Sequence, residues 1–243
     1  MKNAEEITGW DFSNLTNCGR MKETPLPWDY AAIVKKYIPN AVTMLDMGTG
    51  GGEFLKTLAP LPAHTYATEN YEPNVKIAEE NLKSLGVQVV SGFKDDELPF
   101  KNDLFDLIIN RHEYYEPSEV LRLLKPGGYF ITQQVKGNCD MEILELLKVN
   151  TEIDFSDWSL GAAVNELEKN RFIIIQHNES TGYTEFSDID ALIAYIKVIN
   201  WLVPDFTREK YKDSLLVAED VIRMEGSFKC TLDRFYLLAY KPL

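Results

Sequence analysis

Val42-Thr43-Met44-Leu45-Asp46-Met47-Gly48-Thr49-Gly50-Gly51-Gly52-Glu53 is the stretch that decides the fold. A short apolar run ends on Asp46, glycines follow, and the helical pattern Glu53, Phe54, Leu55, Leu58 begins at once. A buried strand that passes through a glycine turn into a helix sets backbone N–H groups and bare backbone against a ligand. A dinucleotide fingerprint would place a third glycine at position 53, which is Glu53 here. A pyrophosphate would also have to approach the Asp46 carboxylate, a like-charge cost. A cationic ligand meets no such cost.

The chain continues in the same alternation of strand and helix, the pattern of a doubly wound sheet. Strands are expected near 42–46, 64–69, 87–91, 104–110 and 128–135, with helices near 52–59, 73–85 and 117–124. His64-Thr65-Tyr66-Ala67-Thr68-Glu69 ends in an acid 23 positions after Asp46. That is close to the spacing of roughly 20 residues at which an acid meets a ribose hydroxyl pair. Leu98-Pro99-Phe100 precedes Phe105-Asp106-Leu107-Ile108-Ile109-Asn110, and Leu121-Arg122-Leu123-Leu124-Lys125-Pro126-Gly127-Gly128-Tyr129-Phe130-Ile131 follows.

In this order the glycine loop, the spaced acid, L-P-F, F-D-L-I and L-K-P-G-G resemble the class I S-adenosylmethionine-dependent methyltransferases over roughly residues 40 to 136. The general appearance is that of the small-molecule group of type 11 and type 25 methyltransferase domains. The resemblance implies a doubly wound, mostly parallel seven-stranded sheet, with S-adenosyl-L-methionine as cofactor and S-adenosyl-L-homocysteine as product. It implies that Asp46, Gly48, Thr49 and Gly50 line the methionine and ribose end, that Glu69 accepts from the ribose hydroxyls, and that Asp95 and Asp96 lie beside the adenine. The usual acid four positions before the L-P-F leucine is Lys94 here, so Asp95 or Asp96 would act through a shifted loop. Asn110 closes the fourth strand at the cofactor edge.

Ligands of open α/β sheets lie off the carboxyl ends of the strands. Asn110-Arg111-His112-Glu113-Tyr114-Tyr115 falls there, and His112 has a reference pKa suited to a general base. A structural histidine is the competing reading, and Glu113, Tyr114 and Tyr115 are alternatives. Methyl transfer requires a base only where the nucleophile must lose a proton.

The remaining segments lie outside this core. Residues 1–40 form an expected N-terminal cap segment with Trp10, Phe12, Trp28 and Tyr30, and with a helix from about Trp28 to Tyr37. The core is expected over 41–180, with helices at Glu142–Val149 and Leu160–Lys169 and a strand at Arg171–His177. A helical cap insertion is expected over 181–226, with helices at Ser187–Val203 and Arg208–Met224 and a capping box from Ser187 to Asp190. A final core strand over 227–243 completes one domain. Trp28, Tyr30, Trp201 and Phe206 are the substrate-pocket candidates, facing one cavity; packing against the sheet is the alternative.

The net charge of −13 opposes a polyanionic substrate, so nucleic acid is disfavoured as a partner. There is no Asp/Asn-Pro-Pro-Tyr/Phe after the fourth strand, no Pro-Cys nucleophile and no metal-ligand cluster. No apolar stretch approaches a membrane span and no leader is visible, so no membrane association is expected. The three scattered cysteines suggest reduced thiols and a cytoplasmic protein. The expected activity is methyl transfer to a small molecule. The alternatives are a ribosomal or transfer RNA methyltransferase and a cofactor-binding module without chemistry.

Overall fold

The computed structural model describes residues 12–149 and 155–243; Trp10 and the rest of 1–11 lie outside the described residues. The strands are β1 Met21–Glu23, β2 Thr43–Met47, β3 His64–Thr68, β4 Gln88–Val90, β5 Phe105–Arg111, β6 Leu124–Val135, β7 Ile173–Ser180, β8 Tyr183–Phe186, β9 Phe228–Thr231 and β10 Arg234–Tyr240. The helices are α1 Ser13–Asn17, α2 Tyr30–Lys35, α3 Glu53–Thr57, α4 Glu72–Leu82, α5 Pro117–Leu123, α6 Met141–Leu147, α7 Leu160–Lys169, α8 Ile189–Val198 and α9 Lys212–Glu225. Contacts divide the chain into two compact units. One holds 27–135, 159–179 and 235–243; the other holds the segments up to Leu26, 136–158 and 180–234.

The first unit is built on a seven-stranded sheet in the order β4-β3-β2-β5-β6-β10-β7. β2 is buried along its whole length, as a central parallel strand covered on both faces requires. It pairs in parallel with β3 and β5, and β5 pairs in parallel with β6. Gly127 N–H donates to the Lys241 carbonyl and Lys241 N–H to that of Gly128, so the start of β6 meets the end of β10 and this pair runs antiparallel. One face of the sheet packs Met44, Leu107 and Ile131 against Ile33 and Val34 of α2, Leu55 of α3 and Leu82 of α4. On the other face the Phe130 ring meets Tyr115 at 4.9 Å and Phe172 at 6.5 Å. At the amino end of β5, Asp106 accepts from Val42 N and Thr43 N and from Lys125 Nζ at 2.7 Å. Burial alone would raise its pKa, but these bonds hold it down at about 2. Strand order reverses between β2 and β5, so the carboxyl ends of these two strands flank the crevice where such sheets bind ligands.

The second unit departs from the helical cap that the sequence pattern suggests. It contains a three-stranded antiparallel sheet, β1-β8-β9, with α1, α6, α8 and α9. Met21, Phe186 and Phe228 on the sheet join Leu15, Ile143, Leu192, Ile196 and Leu215 in a core of its own. α6, expected within the cofactor core, belongs to this unit. The stretch 227–243, expected as one core strand, holds two: β9 joins the small sheet and β10 the large one. The break is held by Leu232 N–H donating to the Gly182 carbonyl and by Asp233, whose carbonyl accepts from Lys136 N–H. α8 is capped by Asp188, not Ser187. The Asp188 carboxylate accepts from Ala191 N at 2.9 Å and binds Arg20 through two bonds of 2.7 and 2.6 Å. An aspartate that neutralises an arginine while it caps leaves the serine no role there.

Candidate active site

The turn after β2 is built as the glycine spacing demands. Gly48 has φ 69° and Gly50 φ 60°, both in the left-handed region. Gly48 N–H donates to the Thr68 hydroxyl at 3.2 Å and Thr49 N–H to the Thr68 carbonyl at 2.9 Å, which ties the turn to β3. A side chain at Gly48 would collide with Glu113, whereas one at Gly50 would meet open space. Backbone is thus left bare at Gly50, while the Glu113 side chain covers Gly48.

Carboxylates gather around this turn. Asp46 is 3 % exposed at the end of β2. Burial pushes its pKa up to about 7; the Thr49 hydroxyl and the Arg111 charge act the other way, and the Glu69 charge adds to the rise. Arg111 itself lies over the Phe54 ring, 4.2 Å from its centre. Glu69 is buried just beyond β3 and accepts from Tyr71 N at 2.8 Å. Glu113 folds against Gly48, and burial together with the charges of Asp95 and Glu69 raises its pKa. Asp95 and Asp96 stand on an exposed turn bracketed by the Lys94–Glu97 bridge. Asn70, which carried no signal in the sequence, fastens this region: it accepts from Gly92 N at 2.9 Å and donates to the Phe93 carbonyl at 3.1 Å.

Asn110 is fully buried at the end of β5. Its Oδ1 accepts from Thr132 Oγ1 at 2.9 Å and from Gln134 Nε2 at 2.6 Å, while its Nδ2 has no partner. A buried amide donor without an acceptor is costly. Thr132, Gln133 and Gln134 were missed by motif reading. Their signal is a run of three polar residues closing an apolar strand, all less than 7 % exposed.

The expected base and pocket residues fall as follows. His112 is exposed, has φ 62°, and places Nε2 3.1 Å from Gln133 Nε2. Tyr114 is exposed and donates to Glu116; Tyr115 is core, edge-on to Phe130. Trp28 donates from its indole to Gln133 Oε1 at 2.8 Å. Tyr30 is buried, and its hydroxyl meets the carbonyls of Asn110 and Ile131, each at 2.9 Å, bracing β5 against β6. Trp201 and Phe206 belong to the other unit. There Trp201 is exposed, and Phe206 stacks on Tyr211 with ring centres 5.6 Å apart.

A seven-stranded sheet with this strand order, a glycine turn at its switch point, and acids at the end of β2 (Asp46) and just beyond β3 (Glu69) has the class I S-adenosylmethionine-dependent methyltransferase fold. Residues 45–132 match the methyltransferase-domain family model, so this part of the chain is similar to that family. It is 26 % identical over 149 residues to phthiotriol/phenolphthiotriol dimycocerosates methyltransferase of Mycobacterium tuberculosis, covering 56 % of this chain and 55 % of that one. It is 32 % identical over 125 residues to ribosomal protein L11 methyltransferase of Desulforamulus reducens, covering 49 % and 39 %. The chain thus spans about half the length, or less, of these curated relatives. Among solved structures, a candidate methyltransferase of Bacillus halodurans superposes with TM-score 0.64 at 18 % identity, covering 88 % of this chain and 99 % of that one. Phosphoethanolamine N-methyltransferase 2 of Haemonchus contortus, solved with S-adenosylhomocysteine, superposes with TM-score 0.53 at 15 % identity, covering 90 % and 54 %. These two likenesses establish the fold alone.

The family implies S-adenosylmethionine as cofactor, and the residues present fit it. Asp46, Glu69 and Glu113 form an acidic rim suited to a cation, Gly50 leaves open space beside them, and the Asn110 amide offers an unused donor. Among the described residues no helix is long and apolar enough to cross a membrane.

Proposed function

We propose that this chain transfers a methyl group from S-adenosylmethionine to a small molecule. The observation that carries the reading is the acidic rim at the switch point: Asp46, Glu69 and Glu113 interact electrostatically beside the bare backbone of Gly50. When bound, the cofactor would supply a methyl group on positively charged sulfur, with a neutral thioether as leaving group. Asp46, as a carboxylate, would hold its positive end. Glu69 would accept from the ribose hydroxyls through the oxygen not taken by Tyr71, and Asp95 or Asp96 would lie beside the adenine. The chain's main work is then to hold an acceptor close and in line while excluding water. Trp28 remains a proposed wall of the acceptor pocket. Three free thiols suit a reducing, cytoplasmic setting.

Calorimetry should find S-adenosylmethionine and S-adenosylhomocysteine binding in the micromolar range, about −8 kcal/mol, with no heat from NAD. Glu69→Ala should weaken both by about 2–4 kcal/mol, because a buried charged acceptor of two hydroxyls is lost. Unchanged affinity in a folded variant would show that Glu69 faces elsewhere.

The small-molecule acceptor is supported by the net charge of −13, which opposes a polyanion, and by the phthiotriol and phenolphthiotriol dimycocerosates in the name of one relative. A ribosomal-protein substrate in another relative's name makes a protein acceptor the second reading. Label from methyl-labelled cofactor should enter the small-molecule fraction of a cell extract and not its RNA. Saturable transfer to one RNA or one protein would overturn the assignment. Cofactor binding with no transfer to any fraction would favour a binding module.

A further inference from the structure

Trp28 Nε1 donates to Gln133 Oε1 at 2.8 Å, and Nε2 of the same amide lies 3.1 Å from His112 Nε2. An indole nitrogen can only donate. The amide oxygen must therefore face Trp28, which turns the amide NH2 toward the imidazole. A donor facing Nε2 requires a lone pair there, so the ring is neutral and carries its proton on Nδ1. The opposite tautomer, or the imidazolium, would set N–H against N–H.

The frame around this pair is rigid. Gln133 is 4 % exposed, and Arg111 lies opposite it in the β5–β6 register. Its carbonyl accepts from His112 N–H at 2.8 Å. His112 is held with φ 62°, in the left-handed region that few non-glycine residues adopt and in which histidine, asparagine and aspartate are enriched. One residue thus fixes both the main chain and the ring of His112.

We propose that Trp28 and Gln133 are positioning residues that hold His112 as the Nδ1–H tautomer, so that the ring orients by donating and does not take the acceptor's proton. The inference rests on reading the end of β5 as the acceptor side of the methyltransferase site. Taking a proton at Nε2 would require the Gln133 amide to rotate and lose Trp28. Suitable acceptors are then those with a nucleophile already unprotonated, such as a free amine, a thiolate or an ionised hydroxyl. Any proton that must leave would go to the neighbouring Glu113 carboxylate.

The test is long-range proton–nitrogen correlation of the imidazoles in the ligand-free, nitrogen-15-labelled chain. The sequence has three histidines, and His112→Gln identifies the signals of interest. In the natural chain His112 should show a pyridine-type Nε2 and a pyrrole-type Nδ1 at neutral pH. Gln133→Glu replaces the donor by an acceptor and should put a proton on Nε2. Trp28→Phe frees the amide to turn and should bring in signals of the second tautomer. A pyrrole-type Nε2 in the natural chain, or a pattern unmoved in either folded variant, would overturn the proposal. Calorimetry with S-adenosylmethionine on the same samples keeps this outcome separate from failure of the cofactor site.

Discussion

Asp46→Asn is expected to give a chain that is more stable without cofactor and almost unable to bind it. The Asp46 pKa is raised by burial from 3.8 to about 7. The folded state therefore keeps a proton that the unfolded chain releases, between about pH 4 and pH 7. Stability falls as pH rises through that window and stays at its lower level above it. A shift of this size corresponds to at most about 4 kcal/mol. Asparagine removes the charge but buries an amide that needs partners, so a net gain of about 1–3 kcal/mol at pH 8 is expected, shrinking toward zero near pH 4. Asp140, also pushed up to about 7 by burial, adds the same slope to both proteins and cancels in their difference. Binding should move the other way. A cation beside Asp46 favours the carboxylate, so affinity in the natural chain should weaken as pH drops below about 7, and proton release should accompany binding at pH 7. Removing the charge should cost about 2–4 kcal/mol of cofactor affinity at pH 8. Urea denaturation and calorimetry across pH 5–8 measure both sides. A variant that binds as well as the natural chain, or is less stable at pH 8, would show that Asp46 is not the strained cation site.

The cofactor core could be read from the sequence because its features are local. A glycine turn, an acid at a strand end and a K-P-G-G bend each act within a few residues, and their order fixes the sheet. The second unit could not be read this way. β1 has three residues, β8 and β9 four each, and Met21 meets Phe186 only when segments 165 positions apart pair. Strands that short show no alternation long enough to stand out from the helical patterns beside them. Tyr30 illustrates a different limit. Its position ahead of β2 suggests a pocket wall, yet the two carbonyls its hydroxyl reaches belong to β5 and β6, which no sequence spacing places near it. The Thr132-Gln133-Gln134 run was visible but carries no motif; its meaning depends on Asn110, Trp28 and His112 meeting there.

The same dependence on distant partners makes Arg122 a residue whose loss should destabilise the chain strongly. Motif reading treats it as a filler between the leucines of Leu121–Leu124. In the fold its guanidinium binds Glu119 through bonds of 2.7 and 2.6 Å and donates to the carbonyls of Phe100 at 2.8 Å and Leu98 at 3.1 Å. Glu119 is 5 % exposed and also accepts from Leu98 N at 2.7 Å. The L-P-F segment, which follows Asp95 and Asp96, is thus clamped from both its N–H and its carbonyl side. Arg122→Ala leaves a buried carboxylate without its counter-charge and frees two carbonyls, a loss of about 3–5 kcal/mol. Glu119→Gln with Arg122→Ala should cost clearly less than the arginine change alone, because a neutral amide tolerates burial without an ion partner. In the Arg122 variant hydrogen exchange at the Leu98 amide should accelerate. Cofactor affinity should fall less than in Asp46→Asn, since the loop is loosened and the acidic rim is intact. A loss under about 1 kcal/mol, with Leu98 still protected, would mean that the clamp is ornamental and that apolar packing of Leu98 holds the loop.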